Sequence, residues 1–221
     1  MPERDIKFSI EPALIAKGLK ISAATFSVPE NPRHRGSGLE EHIQRVIESL
    51  NIRELLKSPI LEAYRELQRE AGVKRPVAPA EYLLGLIQKS RKLPNINRVV
   101  DGYNIVSAAT LLSMGAHDLE KISGNVQLRT TDSTEKYTPL GKTEPERVAP
   151  GEYVAIDDKG TVLCRLDLKQ GNETKCDGDS KKILIYAQGN TETSEDYLRD
   201  ALRRVRENIV NFCNGKCLIL E

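Results

Sequence analysis

Apolar and polar positions alternate at the start of the chain. Ile6, Phe8 and Ile10 are separated by Lys7 and Ser9, the period-two spacing of a half-buried strand. After a break at Gly18, Leu19 to Val28 repeats the pattern more weakly, with Ile21, Ala23 and Thr25 set against Ser22 and Ala24. Pro29 to Gly38 carries two Pro and two Gly and reads as a connection. The period then lengthens. Ile43, Val46, Ile47 and Leu50, followed by Leu61, Tyr64 and Leu67, give helical spacing from Leu39 to Gly72. Ser58-Pro59 predicts a break and restart, with Ser58 as N-cap and Pro59 at the first helical position. A further helix is predicted over Pro79 to Arg91, with Tyr82, Leu83, Leu86 and Ile87 inward and Lys89, Arg91 and Lys92 at the negative end of its dipole. Asn95 to Ser113 is helical again, with Val99, Tyr103, Val106 and Thr110 on one face.

Past Gly124 the pattern turns to strands. Val126–Arg129, Tyr153–Ile156, Val162–Leu168 and Ile183–Tyr186 are β-rich runs separated by Gly141, Gly151, Gly160 and Gly171. Ser194 to Phe212 predicts a closing amphipathic helix, its stripe made of Leu198, Leu202, Val205 and Ile209. Strands, then helices, then strands with a last helix predict an α+β fold, not a regular parallel doubly wound sheet. We read residues 1–221 as one domain, with 1–92 supplying N-terminal strands and helices and 93–221 the core helix, the β-rich part and the closing helix.

Composition narrows the function classes. Apolar residues are 39% and charged residues 29%, which suits a globular chain. Formal charge is only +1, so binding to nucleic acid would need a local basic patch. No apolar run reaches the roughly 18 residues of a membrane span, and Met1 to Lys7 lack a signal-peptide core. A cytoplasmic protein with no membrane partner is therefore expected. Its four cysteines, Cys164, Cys176, Cys213 and Cys217, are expected to be free thiols. Cys213 and Cys217 have ligand-like spacing but lack a second Cys/His pair, so no metal and no cofactor are expected. Walker A, GxGxxG, GxSxG and HExxH patterns are missing, and three histidines (His34, His42, His117) supply a catalytic triad poorly.

The informative stretch starts at Leu93. Asn95, Asn97, Asp101, Asn104 and Ser107 crowd one helix start, with Asn97, Asp101 and Asn104 at i, i+4 and i+7 on one face. Such residues are poor in helix interiors because their side chains compete for backbone partners. Either they cap and brace loops, or they face a ligand. His117 has the same two readings: an imidazole braced beside Asp118, or one that contacts a ligand or moves a proton. Arg199, Arg203 and Arg206 form a basic stripe on the last helix, which is either a solvated face or an RNA-backbone contact.

The order LPNINRVVDGYNIVS, GAHDLEKISGNVQLR, GEYVAIDD and VLCRLD resembles the B3/B4 domain of the phenylalanyl-tRNA synthetase β subunit, most of all its freestanding relatives. The resemblance is densest from Leu93 to Leu168. It implies mixed β-sheets flanked by helices, with a cleft between two subdomains. It also implies an editing activity that hydrolyses tyrosine wrongly attached to phenylalanine tRNA. On this basis Asn97, Asp101 and Asn104 lie beside the cleft, Glu135 falls in a "GE" turn where Thr134 replaces glycine, and Arg165 and Thr174 face the cleft. The expected catalytic set is Asn97, Asn104 and His117, positioning ester and water, with Asp101 orienting them. Asn95, Ser107, Glu135, Arg165 and Thr174 are expected substrate contacts. Arg33, Arg35, Arg91, Lys92, Arg199, Arg203 and Arg206, with Lys89 nearby, are expected to meet tRNA.

One departure matters. The synthetase motif has a histidine where this chain has Gly115, and His117 takes that motif's aromatic position, so tyrosine specificity is not carried over. The implied function is a tRNA-binding protein acting as an aminoacyl-tRNA deacylase in trans, with the aminoacylated 3′ end as partner. The alternatives are a non-catalytic RNA-binding module and a small-molecule hydrolase or sensor on the same scaffold.

Overall fold

Side chains that alternate along a strand must find two different layers to pack against. In the computed structural model, which describes residues 6–220, they do. Of the Met1–Lys7 stretch, only Ile6 and Lys7 lie among the described residues. The chain begins with β1 (Phe8–Ile10), a single-turn α1 (Pro12–Ala16) and β2 (Lys20–Ser27). Then follow α2 (Ser37–Ser49), α3 (Ile52–Leu55), α4 (Pro59–Glu70), α5 (Pro79–Ser90) and α6 (Arg98–Thr110). Next come β3 (Ser113–Asp118), β4 (Val126–Thr130), β5 (Lys136–Tyr137), β6 (Glu146–Arg147), β7 (Tyr153–Asp157), β8 (Val162–Arg165) and β9 (Lys169–Gln170). The chain closes with β10 (Lys182–Gly189), α7 (Glu195–Cys213) and β11 (Lys216–Leu220).

An antiparallel four-stranded sheet, β11-β2-β10-β3, forms the middle layer. Along β10, Ile183, Ile185 and Ala187 pack with the helices, while Leu184 and Tyr186 pack with the second sheet. The second sheet, β1-β4-β7-β8-β9, is mixed, because β1 pairs parallel to β4. The expected α+β class is thus observed, with antiparallel and mixed sheets against a helical layer. No helix among the described residues is long and apolar enough to cross a membrane.

Capping residues set several boundaries. Ser58 accepts from the Ile60 N–H and Ser194 from the Tyr197 N–H. The predicted Asn95–Ser113 helix is shorter. Asn97 caps its start and Leu111, at φ 63°, ends it. Ser113 belongs instead to β3, which the pattern did not reveal because all six of its residues are buried and no alternation survives. In α5 the inward residues are Leu84 and Ile87, whereas Tyr82 is 59% exposed. The cause is a one-position shift of the buried stripe.

The edge strand β3 carries Gly115 directly opposite Tyr186. A Cβ on Gly115 would lie 2.9 Å from the Tyr186 ring. Tyr186 in turn stacks on His117, with centroids 5.8 Å apart and ring planes 5° apart. A histidine at position 115 would therefore have to displace Tyr186. Gly115→Ala should destabilise the protein by roughly 1–3 kcal/mol, the usual range for overpacking. Gly85→Ala, in helix α5 with open space around it, should stabilise it by about 0.5–1 kcal/mol. Urea unfolding of both variants checks the pair.

Candidate functional site

The polar start of α6 is clamped from three directions. Asn97 accepts from the Val100 N–H at 2.9 Å and donates to the Cys176 carbonyl at 3.2 Å. Asn31 accepts from the Val99 N–H at 3.1 Å and donates to the Asp177 carbonyl at 2.9 Å. Asp101 is fully buried and accepts from Arg35 Nε at 2.7 Å and from the Ile96 N–H at 3.0 Å. With its amide turned to match its neighbours, Asn95 donates to the Arg33 carbonyl at 2.8 Å and to Asp101 at 3.1 Å. Arg35 is buried as well, and it also holds Glu40 and the carbonyls of Leu93 and Pro94. Burial raises Asp101 above the usual carboxylate range, although Arg35 beside it favours the ionised form.

A cavity of about 610 Å³ opens between this helix start, the edge of β3 and the segment 168–178. Asn95, Asn97, Asn104 and His117 line it, and so does Arg33. Asn104 differs from the other polar residues of α6. Its side chain makes no hydrogen bond among the described residues. His117 is fully buried, with Nδ1 2.9 Å from Thr174 Oγ1 and Nε2 without a partner among the described residues. Desolvation pushes its pKa down to about 4, so the imidazole is neutral at physiological pH. The expected brace from Asp118 is not what holds it. Asp118 accepts from Ser180 Oγ at 2.8 Å and from the Glu120 N–H at 3.0 Å instead.

Several expected contacts lie elsewhere. Asp101 is not in the cavity wall, because its carboxylate is spent on Arg35 and the loop. Glu135 is buried in an ion pair with Arg129 at 2.5 Å, beside the hairpin strands β5 and β6. Arg165 pairs with Glu152 at 2.6 Å through Nη2 and lies over the Tyr137 ring. Neither lines the cleft. Thr174 does not line it either, and its hydroxyl meets His117 Nδ1 instead. Ser107 donates to the Leu112 carbonyl at 2.6 Å and borders a side recess of about 140 Å³. That recess also holds Asp167, which sequence reasoning missed, because an aspartate in a Gly-punctuated β region reads as a surface turn.

The basic candidates divide too. Arg35 is internal, an ion-pair partner and not a surface cation. Arg199 pairs with Asp196 at 2.8 Å, and Arg203 pairs with Asp200. No residue of α7 lines the cleft, since that helix packs on the far side of α6, where Asn208 donates to the Gly102 carbonyl at 2.8 Å. Arg33, Arg91, Lys92 and Arg206 are exposed.

The family model described as "B3/4 domain" matches residues 70–214, well over half of the sequence. The chain belongs to the B3/4 domain family. The phenylalanine–tRNA ligase beta subunit of Mycoplasma pneumoniae is 33% identical over 73 residues, 33% of this chain and 9% of that protein. Its Mycoplasma genitalium counterpart is 31% identical over 67 residues, 30% of this chain and 8% of that protein. Both matches thus span less than a tenth of the curated relatives. An N-terminal fragment of the Pyrococcus horikoshii phenylalanyl-tRNA synthetase β subunit shares the fold, with a TM-score of 0.52 at 14% identity, covering 98% of this chain and 53% of the fragment.

Two outcomes test this B3/4 site. Arg35→Leu leaves Asp101 buried and unpaired, and should cost about 3–5 kcal/mol in denaturant unfolding. For His117, the unfolded chain takes up a proton near pH 6.5, whereas the folded one resists until about pH 4. Stability should therefore be lost as pH falls through this window, by up to roughly 3 kcal/mol. His117→Gln should flatten that part of the stability curve, measured by urea titrations at stepped pH.

Proposed function

We propose that this B3/4 domain binds the aminoacylated 3′ end of a tRNA in the cleft beside β3 and hydrolyses its ester. The observation that carries the reading is a cavity of about 610 Å³ in a B3/4 domain, walled by the unengaged amide of Asn104 and the neutral imidazole of His117. An aminoacyl ester is already activated, so the site has to orient it, polarise its carbonyl and hold a water. Asn104 supplies both a donor for the carbonyl oxygen and an acceptor for the water. His117, kept neutral, offers a hydrogen bond through Nε2 and is not a general acid. Water oxygen attacks the acyl carbon, the ester C–O bond breaks, and a water proton passes to the departing ribose oxygen. Free amino acid and uncharged tRNA result.

The rim suits a nucleotide. Tyr82, Ile96 and Leu140 are exposed by 59%, 46% and 55% and all line the cleft, which gives a base an apolar surface to lie on. Arg33 stands beside them, and Arg91 and Lys92 are exposed a few residues before Asn95. We place phosphate contacts there, not on α7, whose Arg199 and Arg203 are already paired with neighbouring acids.

Deacylation of a panel of correctly and wrongly charged tRNAs tests the activity. Wild-type protein should release one mischarged amino acid, and Asn104→Ala should slow release by about 10²-fold, the scale of one lost donor to a developing oxyanion. No release from any tRNA, with salt-sensitive tRNA binding intact, would make the domain a binding module. The basic surface has its own test. Joint replacement of Arg33, Arg91 and Lys92 by Ala should lower the slope of log affinity against log salt by roughly 2, from about 0.7 per single-strand phosphate contact. Joint replacement of Arg199 and Arg203 should leave the slope unchanged.

A further inference from the structure

The side recess of about 140 Å³ opens off the cleft and shares Tyr103, Asn104, Leu168 and Gln170 with it. Its walls are of two kinds. Pro79, Leu83, Met114 and Leu168 are apolar. Asp167 and Gln170 also border it, and one oxygen of each, Asp167 Oδ1 and Gln170 Oε1, is buried without a hydrogen-bond partner among the described residues. Asp167 is only 5% exposed, yet just one of its oxygens is satisfied, by the Tyr153 hydroxyl at 2.5 Å. Gln188 lies close enough to favour the ionised carboxylate, but its Nε2 makes no hydrogen bond of ordinary geometry. Asp167 holds a left-handed conformation, φ 60°, in the turn from β8 to β9, and its own carbonyl receives Ser113 Oγ at 2.8 Å. The turn is thereby pinned to the edge strand.

A buried, half-satisfied carboxylate is costly unless something donates to it. Two unpartnered acceptors beside an apolar wall call for a ligand with N–H donors on a short carbon stem. On a scale of about 30 Å³ per water, the recess has room for roughly four or five heavy atoms. We propose that the recess is a binding site for a short alkylammonium group, its N–H donors received by Asp167 Oδ1 and Gln170 Oε1 and its stem lying against Met114, Leu83 and Leu168. The contact is a charge-assisted hydrogen bond in a desolvated site. Resting on the proposed function, this makes the group the side chain of the esterified amino acid, so the substrate class is aminoacyl-tRNA bearing a short aminoalkyl side chain. Desolvation raises Asp167 to about 7, so the carboxylate is ionised and ready for a cation above that pH.

The test uses propylammonium chloride as probe at pH 8, with 1-propanol and salt as controls, read by backbone amide shifts of the 221-residue chain. Wild-type protein should show saturable shifts at Asn104, Ser107, Leu168 and Gln170 with propylammonium and none with propanol. Asp167→Asn, which keeps an acceptor for Tyr153, should bind at least tenfold more weakly. If that variant does not fold, Gln170→Glu supplies a second carboxylate and should bind at least threefold more tightly. No saturable shift in wild-type protein, equal response to propanol, or affinity unchanged by both substitutions would overturn the assignment. Amine binding without deacylation of any tRNA would remove the proposed function and leave the recess assignment standing.

Discussion

The cleft exists because Arg35 and Asp101 are buried against each other. A loop rich in Pro and Gly would otherwise be free to leave the body of the protein. Arg35 instead reaches Asp101, Glu40 and two carbonyls of the segment before α6, while Asn31 ties the same loop to α6 and to Asp177. One loop, one helix start and one wall of the cleft become a single piece. A buried ion pair of this kind adds little net stability over an apolar substitute, but it permits few alternative arrangements once the chain has folded. Here its use is positional: with Asn95, Asn97 and Asp101 consumed by bracing, the α6 residue left with an unengaged amide at the cleft is Asn104.

This division explains how far the sequence could be read. Amphipathic elements were legible because burial on one face leaves a period. The stripes of α2, α4 and α7 and the caps Ser58 and Ser194 sit where spacing and capping chemistry put them. Strand β3 was not legible, because burial on both sides erases alternation. The polar run of α6 was visible as unusual; Asn97 and Asp101 brace the helix start, while Asn104 lines the cleft. What could not be read was which was which. That depends on partners such as Arg35 and Cys176, 66 and 79 residues away. The same holds for Arg165 and Glu135, whose expected place at the cleft is overridden by Glu152 and Arg129.

Gly115 shows how one missing side chain changes a pocket. The resembled synthetase motif has histidine at this position. Here Tyr186 occupies the space above the glycine and presents its ring to His117. The imidazole is thereby moved two residues along the same strand, to a position on the same face, buried under an aromatic ring and held by Thr174. A histidine in that environment stays neutral at physiological pH, so it has no imidazolium proton to give.

Desolvation acts oppositely on the two titratable groups of the cleft and its recess. It lowers His117 to about 4 and raises Asp167 to about 7, in each case favouring the uncharged form. Both groups are buried, so a charge brought next to either of them is weakly screened. An ammonium group entering the recess would turn the Asp167 carboxyl from a burden on the fold into half of a buried pair. Ligand charge would then complete an arrangement that the protein alone leaves unfinished. The physics that makes Asp167 costly in the free protein is thus what would let it discriminate a cationic group from a neutral one of the same size.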